Sequence, residues 1–283
     1  MGCCATEGAA TQNERLAGVG EEKKLIAKSA EVMGKGKTQE PAAATTPAKE
    51  EPLDRKTIYK SHKPITLGYW KIRGLAQPVR YLLEHIEHPW EDTTYEQGDA
   101  PTYSIECWTS VKNTLGLDFP NIPYLIDPNE DVRITDTLAI MTYLCTKYAP
   151  ELLGSSIEVR AETDMLYSHL KDAKQAVTGP CYVGMDRTKL TNLALSKMAP
   201  IVKYLGDKKD FLCGELTYID FYCLELCDFV QFLTNNRFYE ENKAVARYAK
   251  RMKDLPNIKA YINSERYLAA PYNNKVAKIN NLD

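Results

Sequence analysis

The sequence reads as a small α/β domain followed by an all-α domain, behind a long tail with no core of its own. Three observations predict this. From residue 64 to 149, short apolar runs alternate with helical periodicity in the order β-α-β-α-β-β-α. From 150 to 283, apolar residues recur almost entirely at steps of three and four. Residues 1–63 are rich in Ala, Glu, Lys, Thr and Gly and nearly free of aromatics, too little apolar surface to offset the entropy of ordering.

Composition narrows the function classes. The 283 residues carry a net charge of -2, with a pI near 6.2, so no general pull toward nucleic acid is expected. No apolar run approaches the roughly 20 residues of a spanning helix, and the N-terminus lacks the apolar stretch of a secretory signal. The eight cysteines are scattered without a C-x-x-C pair, which argues against zinc and for a reducing compartment. Cys223 and Cys227, four apart in a helical stretch, read as small core residues. The expected class is an intracellular globular protein.

The tail opens Met1-Gly2-Cys3-Cys4-Ala5-Thr6, which fits the acceptor pattern for N-myristoylation at Gly2. One myristoyl chain holds a membrane only marginally, so a second signal is needed. Acids and bases alternate along the tail, leaving palmitate on Cys3 and Cys4 as that signal. This predicts a folded part in the cytoplasm, tethered to the face of a membrane, a ciliary one included.

In the α/β domain, 65–70 reads as a buried strand, and Leu75, Val79, Leu82, Leu83 and Ile86 place a helix over 75–85. His85 and His88, three apart with no further ligand at metal spacing, read as surface histidines. A second strand covers 90–95, and a short helix over 104–111 carries Trp108. A third strand begins at Pro123, and 128–131 turn it into a fourth over 132–134. Thr135 or Asp136 caps a helix whose apolar side is Leu138, Ile140, Met141 and Leu144. This order, with a proline opening the third strand, is thioredoxin-like. A helix starting at Asp136 offers backbone amides to a ligand carboxylate.

In the α domain a long helix is expected over 157–177, interrupted by Thr178-Gly179-Pro180. Another runs over 188–205 and stops at Gly206. Thr217 to Asp220 form a capping box, behind which Ile219, Cys223, Leu226, Val230 and Leu233 make a core stripe. A last helix covers 243–253, ending before Pro256.

Residues 65 to about 271 resemble the cytosolic glutathione transferases, and within them the mu class. The likeness rests on Leu67-Gly68-Tyr69-Trp70, on Ile72-Arg73-Gly74-Leu75-Ala76, and on Tyr95, Gly98-Asp99-Ala100-Pro101, Tyr103 and Trp108. Its longest stretch is Leu115-Gly116-Leu117-Asp118-Phe119-Pro120-Asn121-Ile122-Pro123-Tyr124-Leu125-Ile126-Asp127. The resemblance implies transfer of glutathione sulfur to a hydrophobic electrophile, with glutathione as co-substrate and no other cofactor. Tyr69 would be the catalytic hydroxyl that donates to the thiolate. Trp70, Leu75, Trp108 and Lys112 would line the groove for the glycyl end, and Asn121 and Ile122 would clamp the cysteinyl part. Asp136 and Thr137 would seat the γ-glutamyl group, and Asp172 would reach the glutathione of the partner subunit. Tyr182 would face the electrophile, and Phe119 would insert into the other subunit of a homodimer. The mu pattern has glutamine then serine where this chain has Asp136 then Thr137, which adds a negative charge beside a carboxylate seat. A scaffold that keeps the fold and acts through its tail is the alternative, and glutathione-dependent isomerisation would use the same thiolate.

Overall fold

The computed structural model describes residues 55–281 except 208, so Gly2, Cys3 and Cys4 lie outside the described residues. Structure begins before 64, with α1 (Arg55–Tyr59), whose Tyr59 hydroxyl donates to Tyr148 O at 3.0 Å. There follow β1 (Ile65–Trp70), α2 (Gln77–Ile86), β2 (Trp90–Tyr95), α3 (Glu106–Thr109), β3 (Tyr124–Asp127), β4 (Val132–Thr135) and α4 (Thr137–Tyr148). The sheet order is β2-β1-β3-β4. β1 runs parallel to β2, with α2 as the crossover that a parallel pair requires, and antiparallel to β3. β3 and β4 form the expected hairpin, Leu125 opposite Ile134. The Ile122–Pro123 peptide bond is cis.

α2 starts at Gln77, later than the apolar spacing suggests, because Gly74 and Leu75 turn a corner between strand and helix. Gly74 sits at φ +46°, and a Cβ there would lie 2.7 Å from Tyr69 Oη, so only glycine fits. Around Trp108 the expected eight-residue helix shrinks to the single turn of α3.

The helical part holds α5 (Ile157–Val183), α6 (Arg187–Leu205), α7 (Tyr218–Leu233), α8 (Arg237–Glu241), α9 (Lys243–Asp254) and α10 (Pro256–Ile262). One proline does not act as the expected breaker. Thr178-Gly179-Pro180 does not interrupt α5, which continues to Val183. Pro180 costs one backbone bond near the end of a long helix, while Val177 and Cys181 stay buried in the core. Pro256 ends one helix and opens the next at a position where its missing amide costs nothing.

α7 is buried on almost every side, and its stripe of Ile219, Cys223, Leu226, Val230 and Leu233 lies fully inside. Its start is tied by Asp220, whose carboxylate accepts from Leu212 N (3.0 Å), Thr217 N (2.9 Å) and Tyr248 Oη (2.9 Å). Cys223 and Cys227 are buried on successive turns, their sulfurs 3.8 Å apart.

The two histidines of α2 and its exit are not at the surface. α2 packs on α7, placing the His85 ring 5.2 Å from that of Phe221, and burial pushes His85 down to about 4. His88 is enclosed by Tyr59 and Tyr148. Its Nδ1 donates to Pro89 O at 2.8 Å, which leaves Nε2 to accept from His62 Nδ1 at 3.0 Å. Among the described residues, no group of three or more His, Cys, Asp or Glu side chains is arranged for a metal, and no helix is long and apolar enough to cross a membrane.

Candidate active site

A cleft of about 500 Å³ lies between the β1–α2 corner and the faces of α5 and α7. The corner contributes Tyr69, Trp70, Ile72, Gly74 and Leu75, and the start of α4 contributes Asp136 and Thr137. The opposite wall is Tyr167, Lys171, Lys174, Thr178 and Tyr182 of α5 with Tyr222, Glu225 and Phe229 of α7. Residues Tyr272 to Asn274 close one end.

Tyr69 leaves the strand end with only 6 % of its surface exposed. Its Oη accepts the Leu75 amide at 3.1 Å. Burial pushes the phenol up to about 12, partly offset by that amide. The hydroxyl therefore keeps its proton at neutral pH and has it to donate.

Asp136 is the N-cap of α4, with φ +84°. Its own carboxylate takes the Leu138 and Ala139 amides, at 2.9 and 3.2 Å, so two of the amides expected to serve a ligand are already engaged. Thr137 is buried, and its hydroxyl donates to Leu75 O at 3.1 Å, which anchors the corner to the helix.

The far wall carries charge in an apolar setting. Arg73 crosses from the corner to reach Glu225 of α7, with Nε 3.1 Å from Oε2, and Nη2 donates to Tyr81 Oη at 3.1 Å. Burial works against the Arg73 charge, but Glu225 and the surrounding tyrosines hold the guanidinium firmly protonated. Lys174 is 5 % exposed, and its Nζ donates to Gly74 O at 2.7 Å. Burial brings Lys174 down to about 8, Glu225 pulling back up and Arg73 pushing further down. Tyr182 Oη accepts the Asn274 amide at 3.2 Å, leaving its proton for the cleft. The C-terminal segment is also tied to the loop after β2, with Val276 N on Gln97 Oε1 (3.0 Å) and Lys275 on Asp99 (2.8 Å).

A thioredoxin-like sheet, a helical partner and a tyrosine in the cleft between them agree with the comparisons to known proteins. The family model described as the glutathione S-transferase N-terminal domain matches residues 65–146, and that of the C-terminal domain matches 187–265. Glutathione S-transferase 2 of Gallus gallus is 35% identical over 211 residues, 73% of this chain and 93% of that protein. The chain belongs to the glutathione S-transferase family. Its similarity extends to Glutathione S-transferase Mu 1 of Rattus norvegicus (33% over 221 residues, 77% and 99% of the two chains). It extends also to Mu 2 of Homo sapiens (34% over 223 residues, 76% and 97%). The solved structure of the glutathione S-transferase Blo t 8 superposes with a TM-score of 0.66 at 26% identity, covering 76% of this chain and 99% of that one.

Of the glutathione S-transferase positions named from sequence, Tyr69, Trp70, Leu75, Asp136, Thr137 and Tyr182 meet in the cleft. Others stand outside its lining. Trp108 is buried in a separate small core, stacked on Tyr124 with ring centres 5.9 Å apart. Lys112 follows α3 and is half-buried. Ile122 gives its amide to Asn121 Oδ1 at 2.9 Å. Asp172 lies on an exposed face of α5, and the Phe119 ring is 82 % exposed. Sequence reasoning missed Lys174 and Glu225. A signal for the first exists: Leu166, Tyr167, Leu170, Lys174, Val177 and Cys181 share one helical stripe, and a lysine stands where the period demands an apolar side chain.

Proposed function

We propose that the chain joins the sulfur of reduced glutathione to hydrophobic electrophiles, with Tyr69 as the catalytic hydroxyl. The observation that carries this reading is the Tyr69 phenol, buried at the cleft, kept protonated by its surroundings and held by the Leu75 amide. The nucleophile in such a reaction is the thiolate, and a free thiol near 8.5 is mostly protonated at neutral pH. A hydrogen bond to the charged sulfur contributes about 1.5–3 kcal/mol, lowering the thiol by roughly one to two units, enough to raise the thiolate from about 3 % to between about a quarter and three quarters at neutral pH.

In this reading Trp70 and Leu75 bracket the tripeptide, its γ-glutamyl end lies by Asp136 and Thr137, and Trp108, Lys112, Asn121 and Ile122 serve its other end. Ile122 would then exchange the Asn121 side chain for the ligand. Tyr182 faces the electrophile, with a proton free to donate. Phe119, an exposed aromatic of a kind that costs water contact, would insert into a second copy, and Asp172 would act across that homodimer. The Gly2, Cys3 and Cys4 motif acts only where Met1 is the initiator. Acylation there would tether the enzyme to a membrane, and Gly2→Ala should release it to the unbound fraction; unchanged fractionation would discard the anchor.

Retention on immobilised glutathione followed by conjugation of chlorodinitrobenzene tests the activity. Failure of both in folded protein would sink the enzyme reading.

A further inference from the structure

The Gly74–Leu75 peptide is gripped at both ends. Lys174 Nζ donates to its carbonyl oxygen at 2.7 Å, and its N–H, on Leu75, donates to Tyr69 Oη at 3.1 Å. We propose that Lys174 is a positioning residue for Tyr69, its ammonium holding and polarising this one peptide so that the Leu75 amide stays on the phenol oxygen. The inference rests on the reading of Tyr69 as the group that serves glutathione sulfur.

The physical chain has two links. A cation on a carbonyl oxygen withdraws electron density from the amide and makes its N–H a stronger donor, an effect amplified where water is excluded. A stronger bond into Tyr69 Oη then makes the phenol a better donor on its other side, toward a thiolate. The amide already acts in that direction, drawing the buried phenol down. The geometry leaves the peptide little freedom to do otherwise. Leu75 O accepts Thr137 Oγ1 at 3.1 Å, the Arg73 amide is fixed on Pro271 O at 2.9 Å, and Gly74 abuts the Tyr69 ring.

Lys174 is placed to act as a charge. Glu225 of α7 favours its ammonium, Arg73 of the corner opposes it, and the Tyr222 ring lies 5.5 Å away. Burying an amine on an apolar helix stripe is costly, and a methionine would fill the same space without that cost.

The test titrates the ultraviolet absorbance of glutathione thiolate bound to wild type, K174M, K174R, Y69F and the K174M/Y69F pair. K174M should raise the bound thiol by about half to one pH unit with glutathione affinity changed less than about threefold. K174R, which keeps the charge, should stay near wild type. In the Y69F background K174M should add almost nothing, since the path runs through Tyr69. A K174M thiol equal to wild type overturns the proposal. So does a full extra shift in Y69F, which would mean that the ammonium acts on sulfur directly. Should K174M not fold, K174Q in the same series decides by the same criteria. Wild-type protein that binds glutathione without lowering its thiol would overturn the Tyr69 reading itself, and this one with it.

Discussion

The β1–α2 corner and the α5–α7 face line the same cleft, yet they hold their side chains by different means. On the corner, backbone geometry decides: a strand end presents Tyr69, a glycine at φ +46° turns the chain, and the Leu75 amide meets the phenol. On the helical face, buried charge decides. Lys174, Glu225 and Asp228 stand in stripes that are otherwise apolar, compensated by Arg73 and by a carbonyl from across the cleft. The corner is therefore robust to changes in the helices only as long as the charges that reach over from them are matched.

The strongest way to break this comparison is to strand one of those charges. Glu225→Leu leaves the buried Arg73 guanidinium without its main partner and should lower unfolding free energy by about 3–5 kcal/mol, read by urea denaturation. Replacing both, as Arg73→Met with Glu225→Leu, should recover most of that loss. A single change that costs under about 1 kcal/mol would show that water reaches the pair.

At the corner, Tyr69→Phe removes chemistry and leaves packing intact. Conjugation at neutral pH should fall about 10- to 100-fold, with a smaller loss at high pH, where the thiol ionises unaided. Equal loss at both would mean that Tyr69 does not tune the thiol.

The two regions should also respond oppositely to acid. His85, on α2, titrates near 4 when folded, below its ordinary 6.5, so the stability it allows above 6.5 is lost as pH falls toward 4. Asp220, on α7, titrates near 6, above its ordinary 3.8, burial outweighing its hydrogen bonds. Its contribution is full below 3.8 and is lost as pH rises through 6. Each is worth about 3 kcal/mol. His85→Leu should flatten the acid side of the stability curve, and Asp220→Asn should remove the opposing slope while lowering stability throughout.

The smallest expected effect is at the helix start. Asp136→Asn keeps an acceptor for the Leu138 and Ala139 amides and removes the charge, so glutathione should bind about two- to fivefold tighter. Weaker binding would mean that the carboxylate serves the ligand's ammonium.

Much of the fold was legible because its signals are local. The strand at 65–70, the hairpin through 128–131, the Asp136 cap and the stripe behind Thr217 each depend on neighbours within a turn or two, and each is found where the spacing puts it. Pro180 misled as a breaker, because the core contacts of Val177 and Cys181 are outside a local rule; Pro256 does end its helix, and what went unread is the short helix it opens. His85 and His88 misled for the same reason, since α1, α4 and α7 cover them from elsewhere in the chain.

By itself the sequence determined the β-α-β-α-β-β-α order of the first domain, the Asp136 cap and the stripe behind Thr217, all set by sterics and periodicity within short segments, while Tyr69 was marked by family resemblance. The tertiary structure alone decided which charges meet inside. Lys174 lies 100 positions from Gly74, and Glu225 lies 152 from Arg73. No spacing rule joins residues so far apart; only the packing of two helices against the corner brings an ammonium to one end of the peptide whose other end holds the Tyr69 hydroxyl.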